Sequence, residues 1–262
     1  MPVGKTRSEP RAELTEQKLI RGWTTGVPRV KVRLATPTDL PAIADLVTAA
    51  DVDLGAPMTA AMREGTMGQA HRTALANRRP EHGCPAFTRA MAEAFGTHGA
   101  DHAYLAAALV LVAEHRDHGV IGTVVVYPPP NVADQYVAHA ERGTTAGNST
   151  DDIRKLISAG AIGLAKVSAL AVTESARRTG IGGALLARVK KIYFHHGYFY
   201  VYGQMPDRPG LPEFYRHQGF EVKEPGADLD LWVVFGIPGG IYPGPGERIF
   251  VRGRPHDGPD RE

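Results

Sequence analysis

The stretch that most constrains this chain is Lys166–Gly203, where a strand-like run, a glycine-rich turn, an amphipathic helix and a second strand-like run follow one another without interruption. Lys166–Val172 reads as a strand. Thr179-Gly180-Ile181-Gly182-Gly183 opens a helix over Ile181–His195, and Tyr198–Gly203 reads as a strand again. Within the helix Ile181, Leu185, Val189 and Ile192 fall on one stripe, with Arg188 and Lys191 turned toward solvent. Two strands joined by a crossover helix lie parallel in one sheet, because the right-handed connection returns the chain in its original direction. The fold is therefore α/β.

The rest of the chain adds to this unit on both sides. Val30–Ala35 alternates like a half-buried strand, and Thr36–Pro41 leads into a helix carrying Leu40, Ile43, Ala44, Leu46 and Val47. Residues 57–96 suit two helices broken near Arg79-Pro80 and His82-Gly83. Tyr104–Glu114 and Val120–Tyr127 read as a hairpin about the turn Arg116–Gly119, and residues 131–160 as one or two helices around a polar loop. A short helix at Glu213–Gln218 and strands near Phe220–Val222 and Leu229–Phe235 close the body. Residues 1–28 read as a flexible leader with a helix over Arg11–Leu19. The segment 236–262 holds seven glycines and five prolines, which prevents a regular helix and suggests an irregular tail, with Arg248–Arg252 able to add a short strand. The expected organisation is thus a leader (1–28), a body (29–235) with insertions at about 57–100 and 131–165, and a tail (236–262).

Composition narrows the function classes. The 262 residues are 43% hydrophobic and 22% charged, which excludes disorder throughout, and no apolar run approaches the roughly 20 residues of a membrane helix. Thirty basic against 28 acidic residues leave +2, too balanced to argue for nucleic acid. Cys84 is the single cysteine, so there is no disulfide framework. The polar start lacks the apolar core of a secretory signal. A cytoplasmic setting is expected, without a membrane or nucleic-acid partner.

The glycine turn carries the chemistry. A helix start leaves backbone N–H groups unpaired and bears the positive end of the helix dipole. Glycines there admit a phosphate to the backbone, and Arg177 and Arg178 add fixed charge. The same glycines could serve only to tighten a strand-to-helix connection. A dinucleotide fingerprint is excluded because Leu185 stands at its third glycine and Tyr202 near its acidic position. No P-loop is present.

Leu170-x-Val172 followed by Arg177-x-x-Gly180-x-Gly182 resembles the acetyl-coenzyme A signature of the GNAT N-acetyltransferase superfamily. Glu213-Phe-Tyr-Arg-His-Gln-Gly-Phe220 resembles its closing aromatic motif, and the likeness spans roughly residues 30–235. Two positions depart from the pattern: Glu174 replaces the usual proline and Arg178 the usual glycine.

The resemblance implies a mixed central sheet of about six or seven strands flanked by helices, with two helical insertions. It implies an enzyme that transfers acetyl from acetyl-coenzyme A to a primary amine by direct attack in a ternary complex. The acceptor would be a small molecule or a protein amine, and a homodimer is compatible with the family. Leu170, Ala171 and Val172 would pair with the pantetheine arm. Arg177, Arg178, Thr179, Gly180, Ile181, Gly182 and Gly183 would hold the pyrophosphate.

By the same resemblance Tyr215 is the general acid, against a plain role as a core aromatic beside Phe214 and Phe220, and the N–H of Val172 polarises the carbonyl. Lys166 and Ser168 stand where relatives carry an acidic residue, which leaves the base unassigned. It also keeps open a non-catalytic coenzyme A-binding sensor or interaction module. The eleven histidines include no H-E-x-x-H or C-x-x-C spacing, and no metal is expected. His195 and His196 end the helix after the glycine turn, where a cation suits the dipole.

Overall fold

A computed structural model describes residues 14–76, 83–129, 132, 163–232 and 239–255. The chain begins with α1 (Glu16–Arg21), capped by the Thr15 side chain, which accepts from the Lys18 N–H. Then come β1 (Trp23–Thr24), β2 (Val30–Leu34) and four helices before the central hairpin: α2 (Leu40–Thr48), α3 (Ala56–Glu64), α4 (Gln69–Ala76) and α5 (Cys84–His98). After α6 (Ala100–Ala107) follow β3 (Leu109–His115), β4 (Gly119–Tyr127) and β5 (Leu164–Val172). The chain then runs through α7 (Ile181–His195), β6 (Tyr200–Pro206), α8 (Leu211–His217), β7 (Glu221–Val222), β8 (Leu229–Asp230), β9 (Gly240–Ile241) and β10 (Glu247–Gly253).

Eight strands form one mixed sheet in the order β1-β2-β3-β4-β5-β6-β10-β7. Only β5 and β6 run parallel, joined by α7 as the crossover unit requires. The sheet has one strand more than the upper expectation. β8 and β9 form a separate two-stranded ribbon.

Alternation along the strands splits the apolar side chains between two faces. On one face Leu109, Leu111, Ala113, Val124, Val126, Ala165 and Val167 meet Leu185, Leu186, Val189 and Ile192 of α7 and Phe87 of α5, all nearly free of solvent. On the other, Val110, Val112, Val125 and Ala169 lie under Ile43 and Val47 of α2 and Met62 of α3. The ribbon covers the remainder of that second face, packing Leu229, Leu231 and Ile241 on Leu164, Tyr202, Ile249 and Val251.

Several boundaries differ from expectation. Tyr104–Ala107 is helical, and β3 starts only at Leu109. Alanine is the best helix former, so Ala106 and Ala107 extend the helix until valines take over. Residues 56–98 hold three helices rather than two, because Gly65 and Gly68, both at positive φ, break the segment early.

The leader is not free of the body as far as it is described: Leu19 is fully buried and Trp23–Thr24 pair with Lys31–Val32. The tail is likewise built in. β10 lies between β6 and β7, pairing Phe250 with both Gly203 and Val222, so the body extends to Gly253 rather than 235. The helices expected over 131–160 and the strand end at 233–235 lie outside the described residues, as does His82.

Candidate functional site

β5 is the strand on which the site is built, and its two edges are used differently. On one side it pairs with β4 as far as Gly122 and Val172, with a bulge that leaves Ser168 unmatched. On the other it pairs with β6 only from Leu164 to Val167, opposite Tyr200 to Gly203. Past that point β6 turns to β10, pairing Gln204, Met205 and Pro206 with Ile249, Arg248 and Glu247. The edge of residues 168–172 therefore faces a gap. The Thr173 N–H donates to Ile121 O across β4, and alternation along the strand turns the N–H groups of Leu170 and Val172 into that gap.

The turn after β5 supplies the anion site expected from the sequence. Glu174–Ala176 forms one 3-10 turn with Glu174 exposed, and Thr179 Oγ1 donates to Ala176 O at 2.7 Å. Arg177 is exposed and its Nε donates to Val172 O at 3.3 Å. Arg178 is exposed at φ 62°, a left-handed conformation that costs a residue with a Cβ roughly 1 kcal/mol, which is why glycine suits this position. Gly180 caps α7 at φ 95°, with no side chain bonded to the helix start. The first helical donation is from Ala184 to Gly180 O, so the amides of Ile181, Gly182 and Gly183 are left for a ligand. Leu170–Val172 and Arg177–Gly183 are thus brought together at one end of the gap.

The glycines also pack. A Cβ on Gly182 would stand 3.2 Å from Phe214 Cζ, and one on Gly183 would stand 2.7 Å from Gln218 Oε1. Both the anion-binding and the packing reading of this turn therefore hold. Ile181 offers only its amide, since its side chain is buried. Sequence reasoning missed Gln218, whose backbone oxygen accepts from Lys190 Nζ and whose amide backs Gly183. Its place before the Gly219-Phe220 turn was the available signal.

Tyr215 is 7% exposed, stacks on Phe250 at 3.7 Å between ring centroids and meets Phe214 and Phe220 edge-on. Burial pushes its phenol well up, so it stays protonated. Leu170, Val172 and Phe214 border the same apolar cluster, and Leu170 Cδ2 and Phe214 Cζ close over Gly182. Tyr215 is thus packed as a core aromatic beside the gap. Lys166 is half-buried and lies opposite Tyr202 and Tyr127 in the strand registers.

One histidine expectation is corrected. His196 is completely buried rather than a cation at the helix end: its Nδ1 lies 2.8 Å from Nδ1 of buried His71, and burial holds it neutral. His195 is exposed. Among the described residues no three His, Cys, Asp or Glu side chains are grouped to hold a metal, and no helix is long and apolar enough to cross a membrane.

The family model described as the acetyltransferase (GNAT) domain matches residues 106–222, so the chain carries a GNAT acetyltransferase domain. This span holds β3 through β7, including the gap, the glycine turn and Tyr215.

Among solved structures, the chain is similar to an acetyltransferase from Streptococcus agalactiae 2603. The identity is 12%, covering 86% of this chain and 99% of that one, with a TM-score of 0.45. An acetyltransferase of the GNAT family from Staphylococcus aureus Mu50 is 12% identical over 86% and 99%, at 0.43. A putative acetyltransferase from Salmonella typhimurium, solved with its cofactor acetyl-CoA, is 16% identical over 89% and 99%, at 0.42. No curated protein sequence matches the chain.

Proposed function

We propose that this protein transfers an acetyl group from acetyl-coenzyme A to a primary amine, by direct attack in a ternary complex, within a body spanning residues 14–253. The observation that carries this reading is the separation of β5 from β6 after Val167 and Gly203, next to a helix start with unpaired amides and two exposed arginines. The N–H groups of Leu170 and Val172 suit the amide groups of a pantetheine arm. The amides of Ile181–Gly183, with Arg177, Arg178 and the hydroxyl of Thr179 beside them, suit a pyrophosphate.

The thioester supplies the activated acyl group. The amine nitrogen attacks its carbonyl carbon, and the Val172 N–H stabilises the charge that develops on oxygen. The C–S bond then breaks, and the departing thiolate takes the proton of Tyr215, which solvent restores. The amine's own proton leaves in the same sequence. Lys166 and Ser168 are not carboxylates, and neither is assigned as its base.

Tyr215's packing under Phe250 also favours a second reading, in which the cleft binds coenzyme A without turnover. Thermal denaturation with acetyl-coenzyme A tests binding, and thiol release with amine acceptors separates the two readings. At about 100 times its dissociation constant a ligand adds ~2.7 kcal/mol, or about 5–10 °C for a chain of this size. Arg177→Glu, an exposed change, should remove that shift with the fold intact. An equal shift in the variant would move the pyrophosphate away from this turn. No shift in the wild type would end the acyltransferase reading.

A further inference from the structure

The closed end of the gap lies between Val167 and Gly203, and an acyl group reaching that end must meet its acceptor there. On the α7 face this point is filled, since Val167, Val201, Met205 and Tyr215 belong to the main apolar core. The opposite face is open to a different set of side chains. Gln204, the first β6 residue beyond the pairing with β5, donates its amide to Tyr242 O at 2.8 Å. That bond ties the end of the β8–β9 ribbon to the place where the two strands part.

Tyr242 projects from there with 66% of its surface exposed, the most exposed large apolar side chain among the described residues. Asp228, one residue before β8, stands beside it. Its Oδ2 and the Tyr242 Cζ lie 2.5 Å and 3.3 Å from the point that a Cβ on Gly240 would occupy. A glycine at 240 is what lets the carboxylate and the ring close over the same spot. Asp228 is half-buried, yet it forms no hydrogen bond or ion pair among the described residues. A partly desolvated carboxylate without a partner is costly unless a cation comes to it, and an aromatic face at its side adds attraction for the same cation.

We infer that Asp228 and Tyr242 form a seat for an ammonium group, positioned by Gln204, and that the acceptor is a cationic amine that enters over the ribbon from the face opposite α7. The inference deepens the acetyltransferase reading and rests on it for the position of the reacting end. The seat holds one ammonium of the acceptor and excludes acceptors whose nearby group is an anion. A linear polyamine has the required chemistry, with a second nitrogen free to reach the gap. Asp228 and Tyr242 are positioning residues and take no part in bond making.

The test is titration calorimetry of spermidine into the full chain, with and without coenzyme A, and of 4-aminobutanoate as the amine that carries an anion. Spermidine should bind the wild type and 4-aminobutanoate should not. Asp228→Asn should weaken spermidine about tenfold through the lost charge, and Tyr242→Leu about threefold through the lost ring. Tyr242→Phe, which keeps the ring, should leave binding unchanged. Circular dichroism of each variant establishes that it is folded.

No binding of spermidine to the wild type, or equal binding to folded Asp228→Asn and Tyr242→Leu, overturns the inference. Failure of coenzyme A to bind the same samples would instead overturn the acetyltransferase reading. The arms without coenzyme A still judge the cation seat.

Discussion

Acidification from pH 7.5 to 5.0 should cost this protein stability through one pair of side chains, His71 and His196. Both are fully buried, with Nδ1 to Nδ1 at 2.8 Å, and His71 Nε2 lies 2.9 Å from Ala107 O. If His71 donates from Nε2 to that carbonyl, its Nδ1 must be bare and accept the Nδ1–H of His196. A proton added at His71 Nδ1 would set two N–H groups against each other. The neighbours offer no negative charge: Phe87 stacks on both rings, Tyr193 meets His71 edge-on, and the nearby cationic group is His195.

Burial accordingly lowers His71 from its ordinary value to about 4, and it lowers His196 further still. Between pH 4 and 6.5 the unfolded chain binds more protons than the folded one, so stability rises with pH across that window and falls on acidification. For His71 the complete loss is about 3 kcal/mol, of which about 2 kcal/mol is felt by pH 5. His196 acts in the same direction. The assay is urea unfolding followed by circular dichroism at the two pH values, for the wild type and His71→Leu. The variant should be weaker by about 1–3 kcal/mol at pH 7.5, having lost two buried hydrogen bonds. It should then lose about 2 kcal/mol less than the wild type on acidification. Equal losses in the two proteins would refute the reasoning.

Three further perturbations have definite outcomes. Tyr215→Phe keeps the stacking on Phe250, so urea unfolding should move by less than about 1 kcal/mol, while thiol release at saturating acetyl-coenzyme A and amine should fall about 100-fold. Gly203→Ala should lower stability by about 1–3 kcal/mol, seen as a reduced Tm, because its Cβ would strike the Phe250 ring and come within 2.8 Å of Val167 O. Arg33→Met removes the guanidinium that Asp39 holds at 2.6 Å and Glu114 at 2.8 Å, and should cost about 2–3 kcal/mol in urea unfolding. Asp39 pays for its burial but is still held below the usual carboxylate range by Arg33 and Thr36, and Glu114 by Arg33 and Lys31. Their stabilisation is present above the ordinary carboxylate pKa and lost as pH falls below it. The variant should therefore begin acid unfolding at a higher pH than the wild type.

The parts of the fold legible in the sequence are those whose signals are local. Helix α7 begins at Ile181 and ends at His195 as its glycines and its stripe of Ile181, Leu185, Val189 and Ile192 require, and those four side chains are buried. Tyr104–Ala108 was ambiguous in kind, because an apolar run rich in alanine carries neither the period of a strand nor that of an exposed helix. β1, β7, β8 and β9 are two residues each and have no period to read. β10 shows the opposite limit. Arg248–Arg252 looks like a strand in isolation, but its position between β6 and β7 depends on partners 30 to 47 residues away in sequence, such as Val222 and Gly203. Placing it in a tail followed from the glycines and prolines around it, which form the loop before the strand.

The candidate site divides along the same line. The anion turn is encoded in consecutive residues, and a helix start with glycines has its chemistry wherever it occurs. The gap is a property of register instead. It exists because β6 stops pairing with β5 at Gly203 and continues with β10 at Gln204, an exchange of partners that no single segment records. β10 thereby has two consequences: Phe250 closes over Tyr215, and the strand draws β6 away from the edge that carries Leu170 and Val172. The loop leading into β10 brings Tyr242 to the other face of the same opening, where Gln204 fastens it. The segment whose composition least resembles an ordered element thus completes the sheet, opens the cleft and borders its entrance.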